Sequence, residues 1–195
     1  MEATLDKRNK KVKTGNKTSV VAICDYALLA DLFIYPEEES YKGKIRSIHQ
    51  YLLKNSPEAA EAMRFFMEFV ESATLIDMQE LYLRSFDVQA ITTLDLGFIL
   101  FGEDYKRGNF LAMIQQEQIV AGNDLGSELA DHLPNVLRLL PMMSEQEVAE
   151  ELAYSIMLPA IREILKKFEN TDNVYQYAFE TLLKVMETDF SVLPF

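Results

Sequence analysis

The strongest constraint on the fold of this chain is a succession of segments with helical periodicity, each bounded by residues that cap or break helices. In one of them, Ser56-Pro57-Glu58 supplies an N-cap, a proline in the first turn and an acid near the positive end of the helix dipole. Apolar residues then recur at three- and four-residue steps: Ala59, Ala62, Met63, Phe66, Met67 and Val70. No segment alternates with the two-residue period of a strand. The sequence therefore predicts an all-α bundle.

Similar signals predict the other helices. They are expected over about 19–35, 38–54, 76–86, 105–121, 144–168 and 173–189. Gly122-Asn123 should end the helix over 105–121. Ser144 and Glu147 have the spacing of a capping box, and Pro159 should kink the helix that follows. A short apolar segment, 94–101, separates less regular loops.

The basic residues of the chain are concentrated at its start. Residues 1–18 carry six bases against two acids, a net charge of +4. Because the whole chain has a net charge of −12, residues 19–195 have a net charge of −16. We expect 1–18 to be a disordered basic tail and 19–195 to form one domain. An acidic body is a poor partner for nucleic acid. Asp25 and Asp31 interrupt the first apolar stretch, which argues against a signal peptide, and no stretch has the length of a membrane span.

Sequence signatures of catalysis are missing. Neither His49 nor His132 has the glutamate three residues earlier that a di-iron bundle requires, and there is no Walker-type phosphate loop or Gly-x-Ser-x-Gly elbow. Cys24, the single cysteine, has no obvious basic neighbour to activate it and cannot form an internal disulfide, which indicates a reducing compartment. We predict no catalytic, metal or cofactor site.

Two polar stretches interrupt the helical pattern. The first runs from Tyr82 through Phe86-Asp87 to Gly102-Glu103 and Arg107-Gly108, and the second covers 128–134, with the sequence Glu-Leu-Ala-Asp-His-Leu-Pro. A structural interpretation makes Asp131 a helix cap before Pro134 and pairs Arg107 with Glu103, four residues away. A functional interpretation places some of these side chains at a binding site. The residues alone leave both open.

The residue motifs in these segments, and their order, resemble those of the NarJ branch of the TorD/DmsD-type molybdoenzyme chaperones. The motifs that carry the resemblance are Tyr82-x-x-x-Phe86-Asp87, Gly102-Glu103 with Arg107-Gly108, and Glu128-Leu-x-Asp131-His132-Leu-Pro134. They cover residues 80–140, and the helical pattern on either side suits the all-helical TorD-like fold. The chain departs from the nitrate-reductase version at Asp95, Ile99 and Phe101, which replace histidines, and at Ala130, which replaces proline.

The resemblance implies a cytoplasmic chaperone without enzymatic activity. Its partner would be the immature catalytic subunit of a molybdenum oxidoreductase, foremost nitrate reductase, bound at the N-terminal leader until the molybdopterin cofactor enters that subunit. The chaperone itself would hold no cofactor or nucleotide, as a monomer or a dimer. By resemblance, the residues expected at the recognition region are Tyr82, Asp87, Glu128, Asp131 and His132, with Glu103 and Arg107 positioning a loop.

Two other functions remain open at this point. One is a structural subunit that stays in the mature reductase. The other is a small hydrolase in which Asp131 orients His132 as a base, although adjacent residues seldom face each other and no partnered nucleophile is evident.

Overall fold

The computed structural model describes residues 24–190, and that part of the chain is all-α, as the sequence predicts. Its helices are α1 (Tyr26–Leu29), α2 (Ser40–Asn55), α3 (Pro57–Ala62), α4 (Arg64–Ser72), α5 (Leu75–Phe86), α6 (Leu96–Phe101), α7 (Tyr105–Ala121), α8 (Leu133–Leu139), α9 (Gln146–Leu152), α10 (Leu158–Phe168) and α11 (Tyr175–Asp189). Within residues 24–190, no helix is both long enough and apolar enough to cross a membrane. The predicted basic tail and the predicted cap at Ser19 lie outside the described residues.

Local sequence signals define α5 and α7 at both ends. Thr74 and Asp77 form a reciprocal capping box at the start of α5. The Asp104 carboxylate accepts a hydrogen bond from the Lys106 amide at the start of α7, and Gly122 ends that helix in the left-handed conformation. The predictions for these two helices are confirmed, and both helices border the candidate site.

Two of the local predictions are wrong. The single helix expected after Ser56 is divided at Met63 into α3 and α4. The capping box expected from Ser144 and Glu147 does not form, because Glu145 occupies the N-cap position and gives no side-chain cap. Ser144 and Glu147 have the spacing of a capping box, but α9 begins at Gln146, one residue later than a helix capped by Ser144 would begin.

The irregularity expected near Pro159 takes the form of a π-helical turn. Residues Ala153–Met157 form this turn between α9 and α10, and the Leu158 amide donates to the Ala153 carbonyl, five residues earlier. Pro159 follows directly and has no amide to donate. A wider turn therefore precedes the proline in a continuous helical run.

An aromatic cluster at the centre of the core supports the inner face of α5. Phe86 packs edge-on against Tyr175, with ring centroids 4.6 Å apart, and Phe168 and Phe179 of α10 and α11 complete the cluster. The Phe33 ring lies 4.6 Å from that of Phe179. This packing fixes α5 and the turn around Phe33, which form one wall of the site described next.

Candidate functional site

A surface cleft lies where the turn after Phe33, the helix α5, the loop over 124–128 and the start of α8 meet. It encloses about 340 Å³, and Tyr35, Tyr82, Glu128, His132 and Arg138 are among the side chains that line it. We call it the Tyr82 cleft. Three of the residues expected at the recognition region, Tyr82, Glu128 and His132, therefore share one surface.

Tyr82 provides the aromatic wall of the Tyr82 cleft. Its ring is half-buried and packs edge-on against Tyr35 and Phe86, at centroid distances of 5.4 and 5.1 Å. Burial, together with the charges of Glu128 and Asp87, raises the pKa of Tyr82 well above its usual value. Tyr82 is thus a neutral phenol at any physiological pH, suited to apolar packing and hydrogen bonding.

His132 is held at the cleft by an acid that sequence analysis did not select. Its Nδ1 lies 3.1 Å from Oδ1 of Asp95, and Arg107 approaches the other oxygen of that carboxylate at 3.5 Å. Burial opposes ionisation of Asp95, but the neighbouring His132 and Arg107 outweigh it and hold the pKa of Asp95 below its usual value. Arg107 therefore pairs with Asp95, and the local pair with Glu103 that the structural interpretation offered does not form.

A short backbone ladder brings Asp95 and His132 together. The two residues face each other in an isolated antiparallel bridge. The Leu96 amide donates to the Asp131 carbonyl at 3.1 Å, and the Leu133 amide donates to the Leu94 carbonyl at 2.9 Å. This ladder ties the start of α6 to the start of α8.

Asp131 lies behind the Tyr82 cleft, with its side chain turned into the protein. It has no exposed surface, and its Oδ2 accepts a hydrogen bond from the Gly97 amide at 2.9 Å. Burial and the charge of Asp95 raise the pKa of Asp131 above its usual value. The structural interpretation, in which Asp131 caps α8, is wrong, because His132 occupies that N-cap position. Asp131 does not orient His132, since Asp95 does so.

Buried amides hold the loop over 122–131 in place. Asn135 donates to the carbonyls of Leu125 and Leu129, while Gln118 donates to that of Ala130. Asn123 links Gln118 to Asn135, because its side chain donates to the Gln118 side-chain oxygen and to the Asn135 carbonyl. Sequence reasoning missed these residues because an amide side chain carries no signal of burial until its partners are known.

Two of the candidate residues lie apart from this arrangement. Asp87 follows α5 as its C-terminal cap, is exposed, and does not line the Tyr82 cleft. Glu103 is exposed between α6 and α7, and within residues 24–190 its side chain forms no ion pair or hydrogen bond. The structure therefore groups Tyr82, Glu128, His132 and Arg107, and leaves Asp87 and Glu103 outside the group.

A groove with more apolar walls than the Tyr82 cleft lies elsewhere, between α7 and the helical run of α9 and the π turn. Its walls include Met113 and Ile114 on one side and Val148 and Ile156 on the other. Met113 is half-exposed. We call this surface the Met113 groove. It contains none of the candidate recognition residues.

The all-α fold and the ordered motifs define a chain similar to the NarJ-type assembly chaperones, and comparison with curated proteins confirms this resemblance. The chain is 29% identical over 137 residues to the nitrate reductase molybdenum cofactor assembly chaperone NarJ of Escherichia coli (strain K12). The same identity and length hold for the protein of that description in Escherichia coli O157:H7. Each match covers 69% of this chain and 57% of the relative's length. No family model matches the chain.

Proposed function

We propose that this chain is a cytoplasmic assembly chaperone, without catalytic activity, for the immature catalytic subunit of a respiratory molybdenum oxidoreductase. The leading candidate for the client is a nitrate reductase, bound through its N-terminal leader. Similarity to proteins described as nitrate reductase molybdenum cofactor assembly chaperones supports the role. The client, and not this chain, would carry the molybdopterin cofactor.

The convergence of Tyr82, Glu128 and His132 on the Tyr82 cleft carries the proposal. Tyr82 is about fifty residues from the other two in sequence, yet all three line the same surface. They come from two of the motifs that resemble NarJ. Their meeting at one surface is what a shared role in recognition would require.

Capture in the Tyr82 cleft would combine two kinds of contact. Apolar side chains of the leader would pack on Tyr35 and Tyr82, while Glu128, whose side chain is 57% exposed, would meet basic residues. A reversible interaction of micromolar affinity corresponds to about −8 kcal/mol. A few buried aromatic and apolar contacts can supply that after ordering costs are deducted.

Asp131 would contribute indirectly. Because its carboxylate is buried against Gly97, it would hold the loop that carries Glu128 without touching the client. Arg107 would act in the same way through Asp95. Asp87 and Glu103, both exposed and outside the Tyr82 cleft, would take part only if the client extends beyond it.

The hydrolase alternative has less support. A nucleophile activated by His132 should lie within hydrogen-bonding distance of its ring, and within residues 24–190 the polar partners of the ring nitrogens are carboxylates alone. Ser127 lines the same cleft but forms no hydrogen bond with His132 among these residues. A stable structural subunit remains the stronger alternative, because it would also bind the reductase.

Co-purification tests the proposal. We expect the tagged chain to retain the candidate apo-subunit when the two are co-expressed, and to be absent from the mature, cofactor-loaded enzyme. A structural subunit would instead remain stoichiometric in the active reductase. Failure to bind both the complete apo-subunit and its leader peptide would contradict the chaperone role.

Matched variants locate the binding surface. Glu128→Lys combined with His132→Gln should abolish co-purification, whereas Met113→Glu, which places a charge in the Met113 groove at a half-exposed position, should not. His49→Gln serves as the histidine control, because His49 lies in α2 and does not line the Tyr82 cleft. If Met113→Glu abolishes co-purification and the double variant does not, the client binds at the Met113 groove instead.

A further inference from the structure

The two ring nitrogens of His132 have different surroundings. Nδ1 lies 3.1 Å from the Asp95 carboxylate, and the side chain as a whole is 13% exposed. Nε2 has no hydrogen-bond partner within residues 24–190, and it is not among the buried polar atoms left without one. His132 lines the Tyr82 cleft, so Nε2 is the ring nitrogen left for a ligand there.

Asp95 is fixed in place from several directions. Its backbone pairs with that of His132, and its amide donates to the Thr93 hydroxyl at 3.1 Å. Arg107 neutralises the far oxygen of its carboxylate and lies over the Phe98 ring, 5.2 Å from the centroid. A carboxylate held in this way cannot turn away from His132 without breaking the ion pair to Arg107.

This geometry selects one tautomer of the neutral imidazole. An ionised carboxylate only accepts hydrogen bonds, so Nδ1 must carry the proton. In the neutral ring Nε2 then has the free lone pair and acts as an acceptor. The Glu128 carboxylate, 3.9 Å from Nδ1, adds further acceptor atoms beside the same ring.

We propose that Asp95 is a positioning residue that holds His132 with Nδ1 protonated, so that Nε2 and the Glu128 carboxylate together accept the side chain of a lysine or arginine in the bound protein segment. Arg107 keeps Asp95 ionised and oriented. The ligand part of this inference rests on the proposed function, whereas the tautomer part does not.

The tautomer can be measured without any client. The chain has two histidines, so nitrogen chemical shifts of its imidazole rings can be assigned with a His49→Gln variant. In the neutral ring, we expect the Nδ1-protonated tautomer in the wild type and a shift toward the Nε2-protonated tautomer in Asp95→Ala. Glu128→Gln, which removes the more distant carboxylate, should keep the wild-type tautomer.

An Nε2-protonated His132 in the wild type would overturn the proposal, and this observation does not depend on the folding of any variant. An unchanged tautomer in a folded Asp95→Ala protein would overturn it as well. Circular dichroism on each variant establishes folding, and Asp95→Leu, which is close in shape but has no acceptor, replaces Asp95→Ala if the latter unfolds.

The ligand part is tested with a synthetic peptide of the N-terminal segment of the candidate reductase's catalytic subunit. We expect His132→Gln, or replacement of one basic peptide residue by leucine, to weaken binding about fivefold, with little further loss when the two are combined. If the losses in affinity from His132→Gln and from the peptide substitution were fully additive, the proposed contact between His132 and that basic residue would be overturned. If the wild type does not bind the peptide or the apo-subunit at all, the proposed function fails while the tautomer result stands.

Discussion

The Asp131 carboxylate and the Gly97 amide are joined by a hydrogen bond of 2.9 Å across 34 residues of chain. Both residues are buried. The bond attaches the loop before α8 to the first turn of α6, beside the ladder that aligns Asp95 with His132. Several testable properties of the protein depend on this contact.

Neutralising Asp131 should stabilise the protein at neutral pH. Because burial raises the folded-state pKa of Asp131, its ionisation costs free energy in the folded state, and stability should rise as the pH falls through that pKa. Asp131→Asn retains an acceptor for Gly97 without the charge. Chemical denaturation should therefore show the variant to be more stable than wild type at pH 7, with the difference vanishing below about pH 4.

Asp95→Asn is the matched control with the opposite sign. The folded-state pKa of Asp95 is lowered, so its ionised form contributes stability that is present at neutral pH and lost as the pH falls through the folded pKa. This variant should be less stable than wild type at pH 7. If the stability of Asp131→Asn and of Asp95→Asn depended on pH in the same way, the opposite pKa shifts of these two carboxyl groups would be contradicted.

Removing the acceptor altogether should be costly. Asp131→Ala leaves the buried Gly97 amide without its partner, which costs about 1–3 kcal/mol of unfolding free energy. Urea titration of Asp131→Ala beside Asp131→Asn measures this difference. Equal stability of the two variants would mean that the hydrogen bond contributes nothing.

Gly97 should tolerate no larger residue. A Cβ at this position would lie 2.7 Å from Oδ2 of Asp131 and 2.9 Å from the Phe110 ring. Gly97→Ala should therefore destabilise by about 1–3 kcal/mol through overpacking. Gly43→Ala, in α2 with open space around the new Cβ, should instead stabilise by up to about 1 kcal/mol. Thermal melts of both variants test the contrast.

Asn135 should control the order of the cleft loop. Asn135→Ala removes two hydrogen bonds to the carbonyls of Leu125 and Leu129, and we expect a loss of about 1–3 kcal/mol with faster amide exchange over 124–130. Asn55→Ala, which removes an exposed amide bonded to Tyr51, should change stability by less than about 0.5 kcal/mol. Hydrogen exchange of both variants provides the comparison, and an unaffected loop in Asn135→Ala would contradict this role.

Sequence information was sufficient where the determinants are local. The bounds of α7 follow from Asp104, Gly122 and the periodicity between them, all within one segment. Asp95 was noticed only as a departure from a family pattern, because its pairing with His132 joins residues 37 positions apart. The orientation of Asp131 could not be predicted for the same reason, since its carboxylate accepts a hydrogen bond from the amide of Gly97, 34 positions away.

The π turn over Ala153–Met157 has a consequence for how the length of this chain can vary. An α-helix turns by about 100° per residue, so the extra residue in the turn offsets the helical phase of α10 from that of α9. Ile161 and Ile164 reach the core only with this offset. A one-residue deletion in the turn would restore α-helical bonding, and because it removes the extra residue together with the offset, it would leave both side chains facing the core. The helical run can therefore lose one residue at the π turn without turning α10, whereas a deletion within α10 itself would rotate every later side chain of that helix by about 100°.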